Sequence, residues 1–118
     1  MPDMLKNGLA WLHEKRKEHL SRTVTYRRGS LEREINASPG DSRFDQVDEE
    51  TGGIVRQIHT RDWIVGVEDM EEFGKPESGD QVIDGGKQYD VCPIGDEPQF
   101  RLIDDGIAYR IHSLEVKA

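Results

Sequence analysis

The chain reads as a mainly β protein of α+β character: a small antiparallel β-barrel or sandwich with an N-terminal helix and a long polar loop. Three observations predict this. From Arg22 onward the apolar residues recur with period two, Gly-containing turns punctuate those runs, and helical apolar spacing is confined to the first 21 residues. A length of 118 residues predicts a single domain over 1–118, enough for one core but not for two.

The elements follow in order. Residues 3–21 predict a helix, with Leu5, Leu9, Leu12 and Leu20 on one stripe that Arg16 interrupts. Trp11 lies off the centre of that stripe, and Gly8 costs about 1 kcal/mol relative to Ala. A helix so poorly apolar is expected to order fully only against a partner, and to be mobile without one. Over 22–118 a β-barrel body is expected. Val24 and Tyr26 open the alternation, Gly29-Ser30 makes a tight turn or bulge, and Leu31, Arg33 and Ile35 continue the pattern. The polar stretch 36–53 predicts a long loop with at most a short edge strand, since Phe44 and Val47 are its only large apolar residues.

Ile54 to Val67 predicts one long strand. Ile54 and Ile58 share one face while Trp63, Val65 and Val67 take the opposite parity, so a bulge is expected near Thr60-Arg61-Asp62. Glu68 to Phe73 is helix-compatible and ends at Gly74 and Pro76. A two-residue Gly85-Gly86 turn sets Asp84 opposite Lys87 and Val82 opposite Tyr89. After Cys92-Pro93 and a loop over 94–98, residues 100–105 turn through Gly106 into a last strand alternating at Ile107, Tyr109 and Ile111.

Charge is unevenly spread. The net charge is −8, yet residues 1–36 hold an excess of basic residues and residues 37–118 carry the acidic surplus. Such polarity does not suit a nucleic-acid binder with a basic folded body; it suits a part docking between differently charged partners. No apolar run approaches the ~20 residues needed to span a bilayer, and the N-terminus lacks the apolar centre and cleavage site of a secretory signal. An intracellular product is expected, or one assembled inside a cell. Cys92 is the only cysteine, which precludes an internal disulfide, and its apolar neighbours predict an inert buried thiol.

Reaction chemistry is hard to find. His13 and His19 fall on different faces of a helix, and His59 and His112 lie in separate strands, so each is expected to be a surface or hydrogen-bonded group. The acidic clusters 48–50, 68–72 and 104–105 match no EF-hand and read as solvated turns. Gly52-Gly53 and Gly85-Gly86 lack the strand-to-helix context that cradles phosphate. Trp63 opens an apolar strand and is expected in the core. No catalytic, cofactor or metal residues are expected.

The segment 62–116 carries a recognisable order: DWIVGVEDM (62–70), the Gly79-Asp80 step, the Gly85-Gly86 turn, YDV (89–91) and RIHSLEV (110–116). Over this part the chain resembles the small head–tail joining proteins of tailed bacteriophages, including the lambda-type head–tail connector and its prophage relatives. The resemblance implies a non-enzymatic, ring-forming subunit of the virion's head–tail junction, made in the host cytoplasm. Its implied partners are portal or adaptor proteins and tail terminator or tail tube proteins, with no membrane and no sequence-specific nucleic acid. Contacts are then expected from Lys15, Arg16 and Lys17, and from Asp41, Arg43, Phe44 and Asp48 in the long loop. Two other classes stay open: a small ligand-binding or regulatory β-barrel, needing an apolar pocket with several polar groups, and an enzyme or metal protein in which His59 and His112 meet as ligands.

Overall fold

A computed structural model describes Gly8, Ala10, Trp11 and residues 21–117, with the backbone alone at 44–46 and 54–57. Seven strands run through the described residues: β1 (Arg22–Arg28), β2 (Leu31–Val47), β3 (Ile54–Gly66), β4 (Gln81–Asp84), β5 (Lys87–Val91), β6 (Phe100–Ile103) and β7 (Ala108–Glu115). Every pairing is antiparallel. Six strands close a ring in the order β1, β2, β3, β7, β5, β4 and back to β1, while β6 lies on the same edge of β7 as β5, end to end with it. Closure removes the open sheet edges that would otherwise need covering.

Alternation fills the ring. Val24, Tyr26, Ile35, Trp63, Val65, Val82, Tyr89, Val91 and Ile111 are all buried and belong to one cluster. Trp63 sits edge-on to Tyr89 at 5.5 Å between ring centroids, and its indole N–H donates to Ser113 Oγ at 3.1 Å. A large aromatic thus buries its whole area with its one polar atom satisfied. A short 3-10 helix at Val67–Met70 and the chain up to Asp80 then close one end, where Met70 and Phe73 are buried and Phe73 stacks edge-on against Tyr26 at 4.8 Å.

The Gly85-Gly86 turn has the expected register, with Asp84 opposite Lys87 and Val82 opposite Tyr89. Both glycines have positive φ, 56° and 89°, the conformation that a two-residue turn matched to strand twist requires.

Three expectations need correction. The fold is mainly β without an α component: among the described residues the only helical elements are two 3-10 turns. The helix expected over 3–21 lies outside the described residues except for Gly8, Ala10 and Trp11, whose helical conformation does not amount to an element. The long polar loop over 36–53 is instead mostly strand, because β2 continues to Val47 and pairs with β3 in register from Ser38↔Ile64 to Gln46↔Arg56. Only Asp48–Gly53 is turn. This stretch escaped the period-two test because it leaves the barrel, so no core imposes an apolar face on it.

The bulge expected near Thr60-Arg61-Asp62 is also absent, the sole irregularity in this pair lying at Gln46/Val47. The parity change has another cause. Trp63 and Val65 face the interior, whereas Thr60 and Asp62 are buried on the opposite face beneath a polar cluster.

Candidate functional site

The extension of β2 and β3 makes a two-stranded arm. Among the described residues, β3 beyond Arg61 pairs with β2 alone, and β2 beyond Ala37 with β3 alone. Asp48 organises the tip. Its N–H donates to the Gly53 C=O, its C=O accepts from the Gly52 N–H, and its Oδ1 accepts from the Glu50 N–H, each at 2.8 Å. Asp41, Arg43 and Phe44 follow one another along β2, so the arm brings together the four contact residues expected from residues 41–48. Asp41 and Arg43 are exposed, whereas of Phe44 only the backbone is described. Lys15, Arg16 and Lys17 lie outside the described residues.

Where the arm leaves the barrel, a charged cluster is built around Asp62, which is completely buried. Asp62 Oδ1 accepts from Thr60 Oγ1 at 2.6 Å and from His112 Nδ1 at 2.8 Å; its Oδ2 accepts from Arg110 Nε at 2.7 Å and from the Ser42 hydroxyl. His112 Nε2 lies 3.0 Å from Glu97 Oε1. An imidazole between two carboxylates must donate from both nitrogens, since ionised carboxylates only accept. The hydrogen bond to Asp62, aided by that to Glu97, raises the His112 pKa against the effect of burial. Burial pushes the Asp62 carboxyl up, but the bonds from His112, Ser42, Thr60 and Arg110 outweigh it and hold the group well below the usual carboxylate range.

Gly40 makes room for this cluster. A Cβ there would meet Arg110 Nη2 at 3.4 Å, while the same nitrogen donates to the Asp41 C=O at 3.0 Å. An alanine at Gly40 is accommodated as an ordinary contact. Gly40→Val should displace the guanidinium and cost about 1–3 kcal/mol, read from urea unfolding; a loss equal to that of Gly40→Ala would show that Arg110 needs no such space.

A second cluster fixes the chain leading up to Gly79. Asp80, buried, takes Arg28 in a two-pronged pair at 2.9 and 2.8 Å, the Glu77 N–H at 2.9 Å and the Tyr26 hydroxyl. Arg28 also donates to the Phe73 and Lys75 carbonyls at 2.6 and 2.9 Å. Burial raises the Asp80 carboxyl, and the bonds from Arg28, Tyr26 and Glu77 bring it below its ordinary value. Burial, then Asp80, pushes the Tyr26 phenol far up.

Neither cluster is arranged for nucleophilic catalysis. A Ser–His or Cys–His pair needs a histidine nitrogen within reach of a hydroxyl or thiol, but both nitrogens of His112 are engaged by carboxylates. Ser42 is turned to Asp62, and Ser113 donates to the Arg61 C=O. Burial, with Asp90 nearby, raises the half-buried Cys92 thiol. His59 is exposed on the arm side of β3 and does not join His112.

Sequence reasoning missed both clusters. The available signal was the charged parity of β7, where Arg110 and His112 alternate with Tyr109 and Ile111; charges that regular mark a covered polar face as readily as a solvated one.

The described surface includes two depressions. One, of about 550 Å³, is lined by Val67, Met70, Ile107 and Tyr109 together with Glu68 and Glu71. The other, of about 460 Å³, lies where β3 diverges from β7.

A family model described as phage head-tail joining protein matches residues 2–118, nearly the whole chain. No curated protein matches.

Proposed function

Because the chain belongs to the phage head-tail joining protein family, we propose that it acts as a ring-forming subunit, without chemistry of its own, between the DNA-filled head and the tail. Membership makes it a structural component of the virion. The observation that carries the reading is the family match across residues 2–118. The finer assignment, a ring seated on portal or adaptor proteins and presented to tail terminator or tail tube proteins, is supported by the form of the molecule. Its barrel interior is occupied by Tyr26, Trp63 and Ile111, each almost wholly buried, and the buried Asp62 and Asp80 carboxylates are hydrogen-bonded within the chain. What it offers is surface, and the two-stranded arm is the part of that surface made by no other requirement of the barrel. Single hairpins are marginally stable in water, so such an arm gains most from a neighbour.

The test is assembly in the phage that encodes it. A nonsense mutation in the gene should yield filled heads and free tails, with joining restored by the wild-type protein supplied in trans. Supplying Lys15→Glu/Arg16→Glu/Lys17→Glu should leave heads unjoined although the soluble subunit keeps its unfolding midpoint. Normal joining without the gene would overturn the function; normal joining with the triple variant would remove that basic segment from the interface.

A further inference from the structure

The depression where β3 diverges from β7 differs from an ordinary groove because its walls are unpaired strand edges. The Val67 N–H donates to the Ile107 C=O at 2.9 Å, one residue beyond the Gly66↔Ala108 pair. Hydrogen-bonded positions alternate along an antiparallel pair, so the odd-numbered residues of β3 turn their N–H and C=O groups toward β7. That pairing stops at Arg61↔Ser113. His59 therefore turns its backbone groups into the opening with no described strand beside it. On the facing wall, the Val116 N–H donates to the Gln88 C=O and the Cys92 N–H to the His112 C=O, which assigns even-numbered residues of β7 to β5. Glu115 accordingly points its backbone groups into the same fork.

The fork is also a positive spot on an acidic body. Arg61, Lys87 and Lys117 line it against Asp41 and Glu115, although residues 37–118 as a whole are strongly acidic. The opposite charge sits at the far end of the arm. Asp45, Asp48, Glu49 and Glu50 lie at or beside the tip, with no Lys or Arg from 44 to 55. The end of β2 through Val47 is already extended, and Val47 is half exposed there.

We infer that the fork receives the acidic arm tip of a second copy of this chain, whose β2 end, paired on one side with its own β3, adds its free edge to one of the fork's two open edges. A molecule cannot fill its own fork, because residues 54–60 carry the tip about 23 Å away at ~3.3 Å per residue. Tip and fork are different surfaces, so the contact is head-to-tail; it propagates from copy to copy and closes a ring where the rotation allows. Main-chain pairing would supply adhesion and the charges the register. The inference rests on the ring reading above and names the surfaces that would make the ring.

Cross-linking between two differently tagged populations tests it in solution, both carrying Cys92→Ser. One bears Glu50→Cys at the tip and the other Lys87→Cys in the fork, joined by a short bismaleimide. The tip–fork product should form at least about tenfold faster than the product from Glu50→Cys and Glu72→Cys, since docking raises the local concentration of the reacting pair. Adding Arg61→Glu/Lys117→Glu to the fork population should abolish that excess. Equal rates for the two pairs would overturn the inference, as would an excess indifferent to the charge reversals. If rates are equal but the reversed subunit fails to join heads, the fork takes an acidic segment of another virion protein instead. A cross-link that forms as expected while joining proceeds without the gene would leave the contact standing and remove the assigned function.

Discussion

Replacing Asp62 with alanine is expected to cost about 3–5 kcal/mol of folding stability, seen in urea unfolding as a lower midpoint at unchanged slope. The carboxylate is completely buried and accepts from four side chains, two of them cationic. Without it, His112 Nδ1 loses its carboxylate, and Arg110 is left, among the described residues, with the Asp41 C=O and a long 3.5 Å contact with Ser42. Asp62→Asn should be nearly as severe, because one amide end would present donors to donors. A loss below about 1 kcal/mol for both variants, the range of exposed pairs, would mean that water enters and replaces the carboxylate.

The same cluster sets a pH dependence of known sign. His112 has its pKa raised above the ordinary 6.5, chiefly by the bond to Asp62. Its contribution is therefore complete below pH 6.5 and is lost as pH rises through the folded value. Asp62 and Asp80 are lowered from 3.8, so theirs is complete above that pH and is lost as pH falls through the folded values. These three groups are jointly most stabilising between pH 3.8 and 6.5. In Asp62→Ala the decline above pH 6.5 should flatten, because the largest cause of the His112 shift is gone; an unchanged decline would assign it to another group.

Sequence and structure part company at identifiable residues. The Gly85-Gly86 hairpin was legible because turn chemistry and two cross-strand pairs agree on one register. The arm was not, since Pro39 to Arg43 leave the barrel with no fully buried side chain to impose alternation. Pro39, which would argue against a central strand, sits where β2 needs no N–H: the odd residues of β2 face β1, and β1 ends its pairing at Ala37. The candidate contact residues Asp41, Arg43 and Phe44 were expected in a loop and lie in β2 instead, with Asp48 in the turn that follows it. Asp62 looked like a bend residue because a lone carboxylate between apolar runs gives no sign of partners 48 and 50 positions away in sequence.

The Gly79-Asp80 step was visible in the sequence as a motif, and the structure supplies its physical reason. Asp80→Ala should lower stability by about 2–4 kcal/mol, since it strands the buried Tyr26 hydroxyl and unpairs Arg28. The expected cost is below that at Asp62 because the Arg28 side chain is 28% exposed and can turn partly to water. The loss should be local before it is global. Residues 71–80 contain no strand, and besides Asp80 they are held to the barrel by Phe73 against Tyr26, the Arg28 bonds to the Phe73 and Lys75 carbonyls, the exposed Arg33–Glu72 pair at 2.7 Å, Gln99 Nε2 donating to the Pro76 C=O at 3.2 Å, and the Gly79 N–H on the Val91 C=O at 2.9 Å. Removing the carboxylate also releases the Glu77 N–H. Amide exchange at Glu77, Gly79 and Asp80 should therefore accelerate by more than the drop in global stability accounts for, while Trp63 and Ile111 in the barrel follow global unfolding. Tyr26→Phe, which removes only the hydroxyl and keeps the Arg28–Asp80 pair, should cost about 0.5–1.5 kcal/mol and leave that exchange close to wild type. If Asp80→Ala instead speeds exchange uniformly across the barrel, the segment that closes its end is an integral part of the core and not a strap held by one carboxylate.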